Sequence, residues 1–155
     1  MVGFGYDSHK FKDDGSLIIG GITITTEFGV IAHSDGDVLV HSLIDALLGA
    51  CGLGDIGELF SDEDDIYKDI DSMILLERVV TKIHEKGYKI SNIDSSILLE
   101  KIKLRDYKQE IRKNIAKVCG IGIDIINVKA KTNEGMGFVG RNEGIACFSV
   151  CELIK

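Results

Sequence analysis

Two short segments of the chain carry side chains that are typical of metal sites. Asp7 and His9 are separated by one residue in a stretch expected to be a strand, so both side chains leave the same face of the sheet. A carboxylate beside an imidazole suits a zinc or manganese ion. By itself this pair is weak evidence, and it needs further ligands from elsewhere in the chain.

The second segment is expected to be a helix on which Asp37, His41 and Asp45 recur every four residues and therefore share one stripe. The surrounding positions are apolar, so we expect the helix to be packed and its polar stripe to line a pocket. With His41 added, Asp7 and His9 would form a three-ligand site with one open position, as in catalytic zinc centres. The alternative is a solvated stripe whose acidic residues only favour the helix N-terminus. Spacing alone leaves both interpretations open.

Phosphate could be held at two places. His33 and Ser34 precede the helix N-terminus, where free N–H groups and the helix dipole favour anions. Near the C-terminus, a strand carrying lysines enters a glycine-rich turn in which Glu134 could hold magnesium or manganese. The alternative for this second segment is an edge strand protected by its lysines.

Periodicity and turn signals predict the elements that must position these residues. Strands are expected at 2–9, 89–99, 124–132 and 144–154, a hairpin at 16–25, and helices from about 35 or 36 to 51, at 72–86 and at 104–118. The last strand is apolar on both faces, as expected for a strand covered on both sides, for example by another subunit. The order predicts a single α+β domain spanning 1–155, a sandwich with helices packed on one face of a mixed β-sheet.

Composition narrows the class of protein. The chain has 155 residues, of which 45% are hydrophobic and 28% charged, as in a globular domain. A net charge of −7 argues against nucleic acid or an anionic membrane as a partner, and neither a membrane span nor a signal peptide is expected. The four cysteines form no closely spaced pair, so we expect buried, reduced thiols and no zinc–thiolate site.

Three motifs carry a resemblance to a known family. GYDSHKF, AHSDGDVLVHSLIDALLGACGLGDIGELFSD and GFVGRNEGIA resemble the 2-C-methyl-D-erythritol 2,4-cyclodiphosphate synthases in sequence, order and spacing, over essentially the whole chain. The resemblance implies a zinc-dependent phosphorus–oxygen lyase of the non-mevalonate isoprenoid pathway. Such an enzyme converts 4-diphosphocytidyl-2-C-methyl-D-erythritol 2-phosphate into the cyclic diphosphate and CMP.

The resemblance also implies an assembly and a location. It implies a homotrimer around a central axis, with active sites at the subunit interfaces and an axial cavity that is expected to accept an isoprenoid diphosphate. The location would be a bacterial cytoplasm, or a plastid-like organelle if a transit peptide has been removed.

The resemblance also implies catalytic, metal-binding and substrate-binding roles for individual residues of this chain. Asp7, His9 and His41 would bind one zinc ion per chain, Glu134 a second cation (Mg²⁺ or Mn²⁺) held with the substrate, and His33 and Thr132 would stabilise the transition state. The implied substrate-binding residues are Ser34, Asp45, Asp55, Gly57, Phe60, Asp62, Lys103, Leu104, Ala130, Lys131, Glu134, Phe138 and Arg141.

The chain departs from the family pattern around the implied cytidine pocket, at Leu99, Ile102 and Lys131. Two alternatives to the synthase remain: a zinc-dependent phosphohydrolase on the same scaffold, and a non-enzymatic trimer that binds metal or isoprenoid diphosphate. The lysine at 103 together with the 130–134 segment argues against the first, and the intact metal residues argue against the second.

Overall fold

The fold is described by a computed structural model of residues 1–61 and 64–155. The elements, in chain order, are β1 (Val2–Lys12), β2 (Leu17–Ile19), β3 (Ile22–Ile24), β4 (Gly29–Val30), α1 (Val38–Ala50), α2 (Ile56–Leu59), α3 (Ser72–Glu85), β5 (Lys89–Leu98), α4 (Lys108–Cys119), β6 (Ile126–Lys131), α5 (Gly137–Gly140) and β7 (Gly144–Ile154). Short 3-10 turns at Asp65–Tyr67 and Ile123–Ile125 precede α3 and β6.

A five-stranded mixed sheet forms the frame, with strand order β4-β1-β7-β5-β6. The pair β5–β6 is parallel, whereas β1–β4, β1–β7 and β5–β7 are antiparallel. The short strands β2 and β3 form a separate hairpin that turns on Gly20 and Gly21, both at positive φ. The α+β class, the mixed sheet and this hairpin agree with the sequence-based expectation.

The helix α1 lies directly on β1 because two strand positions lack side chains. A Cβ atom added at Gly3 would lie 1.8 Å from the carbonyl oxygen of Ala46, and one at Gly5 would lie 1.9 Å from that of Ser42. Such distances are far inside van der Waals contact, so only glycine permits this approach. Because side chains alternate along a strand, Asp7 and His9 point to the same face as these glycines and therefore toward α1.

Buried hydroxyl groups join α1 to the middle of the sheet. Ser42 donates a hydrogen bond to the Leu39 carbonyl oxygen at 3.0 Å and lies 2.7 Å from the Ser149 hydroxyl on β7. Ser149 in turn lies 2.8 Å from the Ser95 hydroxyl on β5. All three serines are buried, and each hydroxyl has a partner, as a buried polar group requires.

The two faces of the sheet differ in cover. The helix α1 packs on β1 and β7, α3 packs on α1, and α4 packs against α3 and β6. On that face Ile145, Cys147 and Cys151 of β7 are fully buried. On the other face Phe148 and Val150 remain 37% and 39% exposed. Within one chain, this second face of β7 is buried at Ala146 but uncovered from Phe148 onward.

Several element boundaries differ from expectation. The strand β1 continues to Lys12, beyond the expected 9. The helix α1 begins at Val38, later than the expected 35 or 36, because the Asp37 side chain caps it by accepting from the Val40 N–H. The helix α4 begins at Lys108 and not at 104, since Leu104 to Tyr107 form a turn that leads into it. The strand β6 begins at Ile126 after the 3-10 turn.

The cysteines are free, as expected, and three of the four are buried. Burial raises the pKa of the Cys119 and Cys147 thiols to about 12 and that of Cys151 to about 11, so these groups are protonated at neutral pH. They are therefore packing residues. In residues 1–61 and 64–155, no helix has both the length and the apolar character that a membrane crossing requires.

The close approach of α1 to β1 predicts that Gly5→Ala destabilises the protein by about 3 kcal/mol or more, because the new methyl group must push the helix off the strand. Urea unfolding at fixed protein concentration measures the effect. The matched control is Gly49→Ala on the exposed side of α1, where a Cβ meets no atom within 4 Å. That change should stabilise the helix by about 0.5–1 kcal/mol. Equal effects of the two substitutions would contradict the packing described here.

Candidate metal centre and substrate clefts

The packing of α1 on β1 brings three metal-ligand atoms together. Asp7 Oδ2 lies 3.0 Å from His9 Nε2 and 3.0 Å from His41 Nδ1, and the two nitrogen atoms are 3.3 Å apart. A tetrahedral zinc ion with bonds of about 2.0–2.1 Å separates its ligand atoms by roughly 3.3 Å. The donor set and its spacing thus fit three vertices of a zinc tetrahedron. The sequence-based grouping of these residues agrees with this geometry.

The charges of the triad favour a carboxylate that remains ionised. Burial alone would raise the pKa of Asp7, but hydrogen bonds from His41 and His9 and the charges of both rings lower it to about 2. For His41, burial by itself lowers the pKa, and the hydrogen bond and charge of Asp7 outweigh it, so the net pKa is raised. A metal ion at this place must displace the imidazole proton that faces Asp7.

The other nitrogen of the His41 ring faces two hydroxyl groups. Nε2 lies 2.8 Å from the Ser72 hydroxyl, at the start of α3, and 3.1 Å from that of Ser34. The Ser72 hydroxyl also donates a short hydrogen bond to the Asp35 carboxylate. Such outer contacts orient a metal-ligating imidazole ring.

The triad opens into a cleft of about 170 Å³. The cleft also contains five residues expected to contact substrate or transition state: His33, Ser34, Asp45, Gly57 and Phe60. His33 Nε2 is buried and has no hydrogen-bond partner within the described residues, so it is available to an external ligand. Asp45 accepts from the Ile56 N–H at 2.8 Å, and burial raises the pKa of its carboxyl group.

Asp37 is placed differently from the expected pocket stripe. Its side chain is fully buried, accepting from the Gly21 N–H at 2.7 Å and the Val40 N–H at 3.1 Å, and it does not line the cleft. Burial raises the pKa of Asp37 to about 6 although these backbone hydrogen bonds oppose it. The Asp37 carboxylate, from the loop before α1, therefore already occupies the helix N-terminus. A phosphate bound near it would have to be held by the side chains of His33 and Ser34.

A second cleft, of about 220 Å³, gathers the residues expected to bind cytidine. It is lined by Leu99, Ile102, Lys103, Leu104, Arg105, Lys108, Ala130, Lys131 and Thr132. None of these residues lines the metal cleft of the same chain. A single chain thus holds the expected His33 and Thr132 in separate clefts.

The turn after β6 is held by a residue that sequence reasoning missed. Glu100 accepts hydrogen bonds from the N–H groups of Asn133 at 3.0 Å and Gly135 at 3.2 Å. Between them, Glu134 adopts a left-handed conformation with φ of 51° and accepts from the Thr132 hydroxyl at 3.0 Å. Glu100 thereby holds the backbone of the turn that carries Thr132 and Glu134.

Three further expected site residues, Asp55, Phe138 and Arg141, lie apart from both clefts. Asp55 is exposed and caps α2 by accepting from the Glu58 N–H at 2.9 Å. Phe138 lines a third cavity of about 640 Å³, with His9 and Glu143 among its walls. Arg141 forms an exposed ion pair with Glu143 at 2.8 Å. Asp62 lies outside the described residues.

The fold and the site together define an α+β domain with a candidate Asp-His-His metal centre. Comparison with known proteins gives the family. The model of the YgbB family matches residues 1–154, so the chain belongs to the YgbB family. The 2-C-methyl-D-erythritol 2,4-cyclodiphosphate synthase of Clostridium acetobutylicum is 52% identical over 153 residues, covering 99% of each chain.

Relatives also occur in fused form, and solved structures share the fold. The bifunctional enzyme IspD/IspF of Aliarcobacter butzleri is 50% identical, across 99% of this chain and 41% of that protein. The structure of the bifunctional IspDF from Campylobacter jejuni superposes with a TM-score of 0.94 at 46% identity, over 98% of this chain and 41% of that one. The structure of Plasmodium falciparum IspF in complex with CDP superposes with a TM-score of 0.87 at 38% identity. The match covers 99% of this chain and 94% of that one.

The buried Asp37 carboxyl predicts a pH-dependent stability. Its pKa is raised from 3.8 to about 6 on folding, so the folded state binds the proton more tightly than the unfolded chain does. The protonated carboxyl therefore stabilises the folded state at low pH, and this contribution is lost as the pH rises through about 6. Relative to Asp37→Asn, whose side chain does not titrate, the native free energy of unfolding should fall by about 3 kcal/mol between about pH 3 and pH 7. Urea unfolding of both metal-free proteins measures it, and parallel pH profiles would contradict the assignment.

Proposed function

We propose that this protein is a 2-C-methyl-D-erythritol 2,4-cyclodiphosphate synthase, which converts 4-diphosphocytidyl-2-C-methyl-D-erythritol 2-phosphate into the cyclic diphosphate and CMP. The observation that carries the proposal is the Asp7, His9 and His41 triad, spaced for a metal ion at the mouth of a cleft that also holds His33 and Ser34. The full-length match to relatives of this name supports the same reaction.

The reaction is an intramolecular phosphoryl transfer. An oxygen of the 2-phosphate attacks the β-phosphorus, and the bond from that phosphorus to the bridging oxygen breaks, so CMP leaves with this oxygen. Catalysis of such a transfer depends on alignment and on neutralising charge. In this chain the His33 ring and the Ser34 hydroxyl donate to phosphate oxygens, and the Asp45 carboxylate accepts from hydroxyl groups of the erythritol portion.

Zinc fits the triad because one carboxylate and two imidazoles at this spacing leave a fourth position open toward the cleft. A zinc ion held by these three residues would offset the negative charge of a phosphate oxygen. The protein's part is to hold Asp7 ionised and to present His9 Nε2 and His41 Nδ1 beside it.

A second cation, Mg²⁺ or Mn²⁺, is proposed to bind with the substrate through Glu134. Its carboxylate lies in a turn fixed by Glu100, beside the Thr132 hydroxyl. Carboxylate and phosphate oxygens are the ligands that such hard cations prefer. Thr132 is proposed to stabilise the transferring phosphoryl group, for which its hydroxyl hydrogen must turn from Glu134 to a phosphate oxygen.

The nucleotide would lie in the cleft at Lys103 and Ala130. Support comes from the solved structure of a 38% identical IspF as a CDP complex. Leu99, Ile102 and Lys131 line the same cleft, so they determine how this chain contacts the base and ribose.

The active site is proposed to form between subunits of a homotrimer. The metal cleft and the nucleotide cleft are separate within one chain, so a neighbouring chain must unite them. The uncovered face of the sheet supports this assembly, since Phe4, Tyr6 and Phe148 stack there and Phe4 is 62% exposed. Burying such a patch between three copies would also cover the second face of β7.

An isoprenoid diphosphate is proposed to bind near the trimer axis, in the cavity that Phe138 lines. Arg141 would contact the diphosphate. In the isolated chain its guanidinium is paired with Glu143, so the ligand must compete with that carboxylate.

The proposed reaction is tested by incubating the zinc- and magnesium-loaded protein with the cytidyl substrate and following products by phosphorus NMR. We expect CMP and a cyclic diphosphate. His41→Ala should lower turnover at least about 100-fold, because the metal loses a ligand. The matched control is His84→Ala, which alters an exposed histidine of α3 and should leave turnover unchanged.

Other products would assign other functions. CMP with a linear phosphate would identify a phosphohydrolase. A metal-loaded protein that releases no CMP would instead be a binding protein.

A further inference from the structure

Two loops that lie far apart in sequence are joined behind the metal centre. The His33 carbonyl oxygen accepts from the Asp69 N–H at 2.9 Å, and the Asp35 N–H donates to the Ile70 carbonyl oxygen at 3.2 Å. These bonds place the Asp35 carboxylate over the first turn of α3. The segment that leads into α1 is thereby fixed against the start of α3, next to His41.

Within the described residues, each hydrogen bond of the Asp35 carboxylate is one that the carboxylate accepts. Oδ2 accepts from the Ser72 N–H at 2.8 Å. Oδ1 accepts from the Asp37 N–H at 3.1 Å and, in a short bond, from the Ser72 hydroxyl. An ionised carboxylate offers no hydrogen, so the Ser72 hydroxyl hydrogen must point at Asp35.

This direction determines what Ser72 can do for His41. A hydroxyl that has given its hydrogen to Asp35 can only accept at its oxygen. The Ser72 oxygen lies 2.8 Å from His41 Nε2, and it is fully buried. Nε2 must therefore carry a hydrogen. Without a metal ion Nδ1 also carries one and donates it to Asp7 at 3.0 Å, so displacing this proton leaves the lone pair of a neutral His41 ring on Nδ1.

We propose that Asp35 and Ser72 are positioning residues that fix the tautomer and orientation of His41, so that Nδ1 is presented to the metal ion. This inference rests on the proposed metal site but not on the identity of the substrate. It also explains how two hydroxyls can share Nε2: Ser72 is the closer acceptor, and the Ser34 hydroxyl at 3.1 Å is left free to donate to phosphate.

The test is zinc affinity, measured by competition with a chromophoric chelator. Ser72→Ala should bind zinc about 10–100-fold more weakly than the native chain, the usual effect of removing an outer-shell partner. The matched control is Ser42→Ala. Ser42 directly follows His41 in the chain, and its buried hydroxyl bonds to Leu39 and Ser149 and not to His41. Its zinc affinity should be unchanged.

A second readout separates positioning from general loosening of the fold. In the zinc-loaded native protein, proton NMR should detect a slowly exchanging Nε2–H of His41, protected by Ser72. This signal should persist in Ser42→Ala and be lost in Ser72→Ala.

Asp35→Asn provides a variant of almost equal size in case Ser72→Ala folds poorly. An amide can turn its N–H toward Ser72 and so direct the hydroxyl hydrogen at Nε2, which would again weaken zinc binding. Native affinity and a retained Nε2–H signal in Ser72→Ala would overturn the inference, as would an equal loss in Ser42→Ala. A native chain that binds no zinc would overturn the metal site itself, and the inference with it.

Discussion

The contact between the backbones of α1 and β1 is the constraint on which the metal centre depends. Because Gly3 and Gly5 have no side chains, the carbonyl oxygens of Ala46 and Ser42 can lie against the strand. His41 directly precedes Ser42, and Asp7 is the next residue after Gly5 on the same face of the strand. The close approach of α1 to β1 therefore also sets the distance between the metal ligands. A larger residue at Gly3 or Gly5 would push α1 away from β1. His41 would then move away from Asp7 and His9, although the new side chain contacts none of the three ligands.

In the loop of residues 33–37, some side chains line the metal cleft and others hold neighbouring elements in place. His33 and Ser34 face the cleft, whereas Asp35 holds the start of α3 and Asp37 holds the hairpin and the start of α1. Two ionisable carboxyl groups are thus placed close to His41, and their charges contribute to raising its pKa. Such surroundings attract a cation and repel a phosphate that is not accompanied by one.

Much of this was visible in the sequence, for physical reasons. The two-residue spacing of Asp7 and His9, and the apolar helix around His41, are local patterns that survive folding. Asp37 was expected to line the pocket with His41, but it caps the helix. A residue four positions before His41 can take either place, so its spacing does not distinguish them. Ser72 and Glu100 were missed because their partners lie 37 and at least 33 residues away in the sequence, and no local signal marks such a contact. The division of the site between two clefts likewise depends on tertiary packing.

The central claim is that Asp7, His9 and His41 hold a zinc ion, and anomalous diffraction from a crystal of the zinc-loaded protein tests it most directly. Data collected on both sides of the zinc absorption edge should give one peak per chain. The peak should lie about 2.0–2.2 Å from a carboxylate oxygen of Asp7, from His9 Nε2 and from His41 Nδ1. A peak that lies elsewhere, or that is bound through Nε2 of His41, would contradict the account.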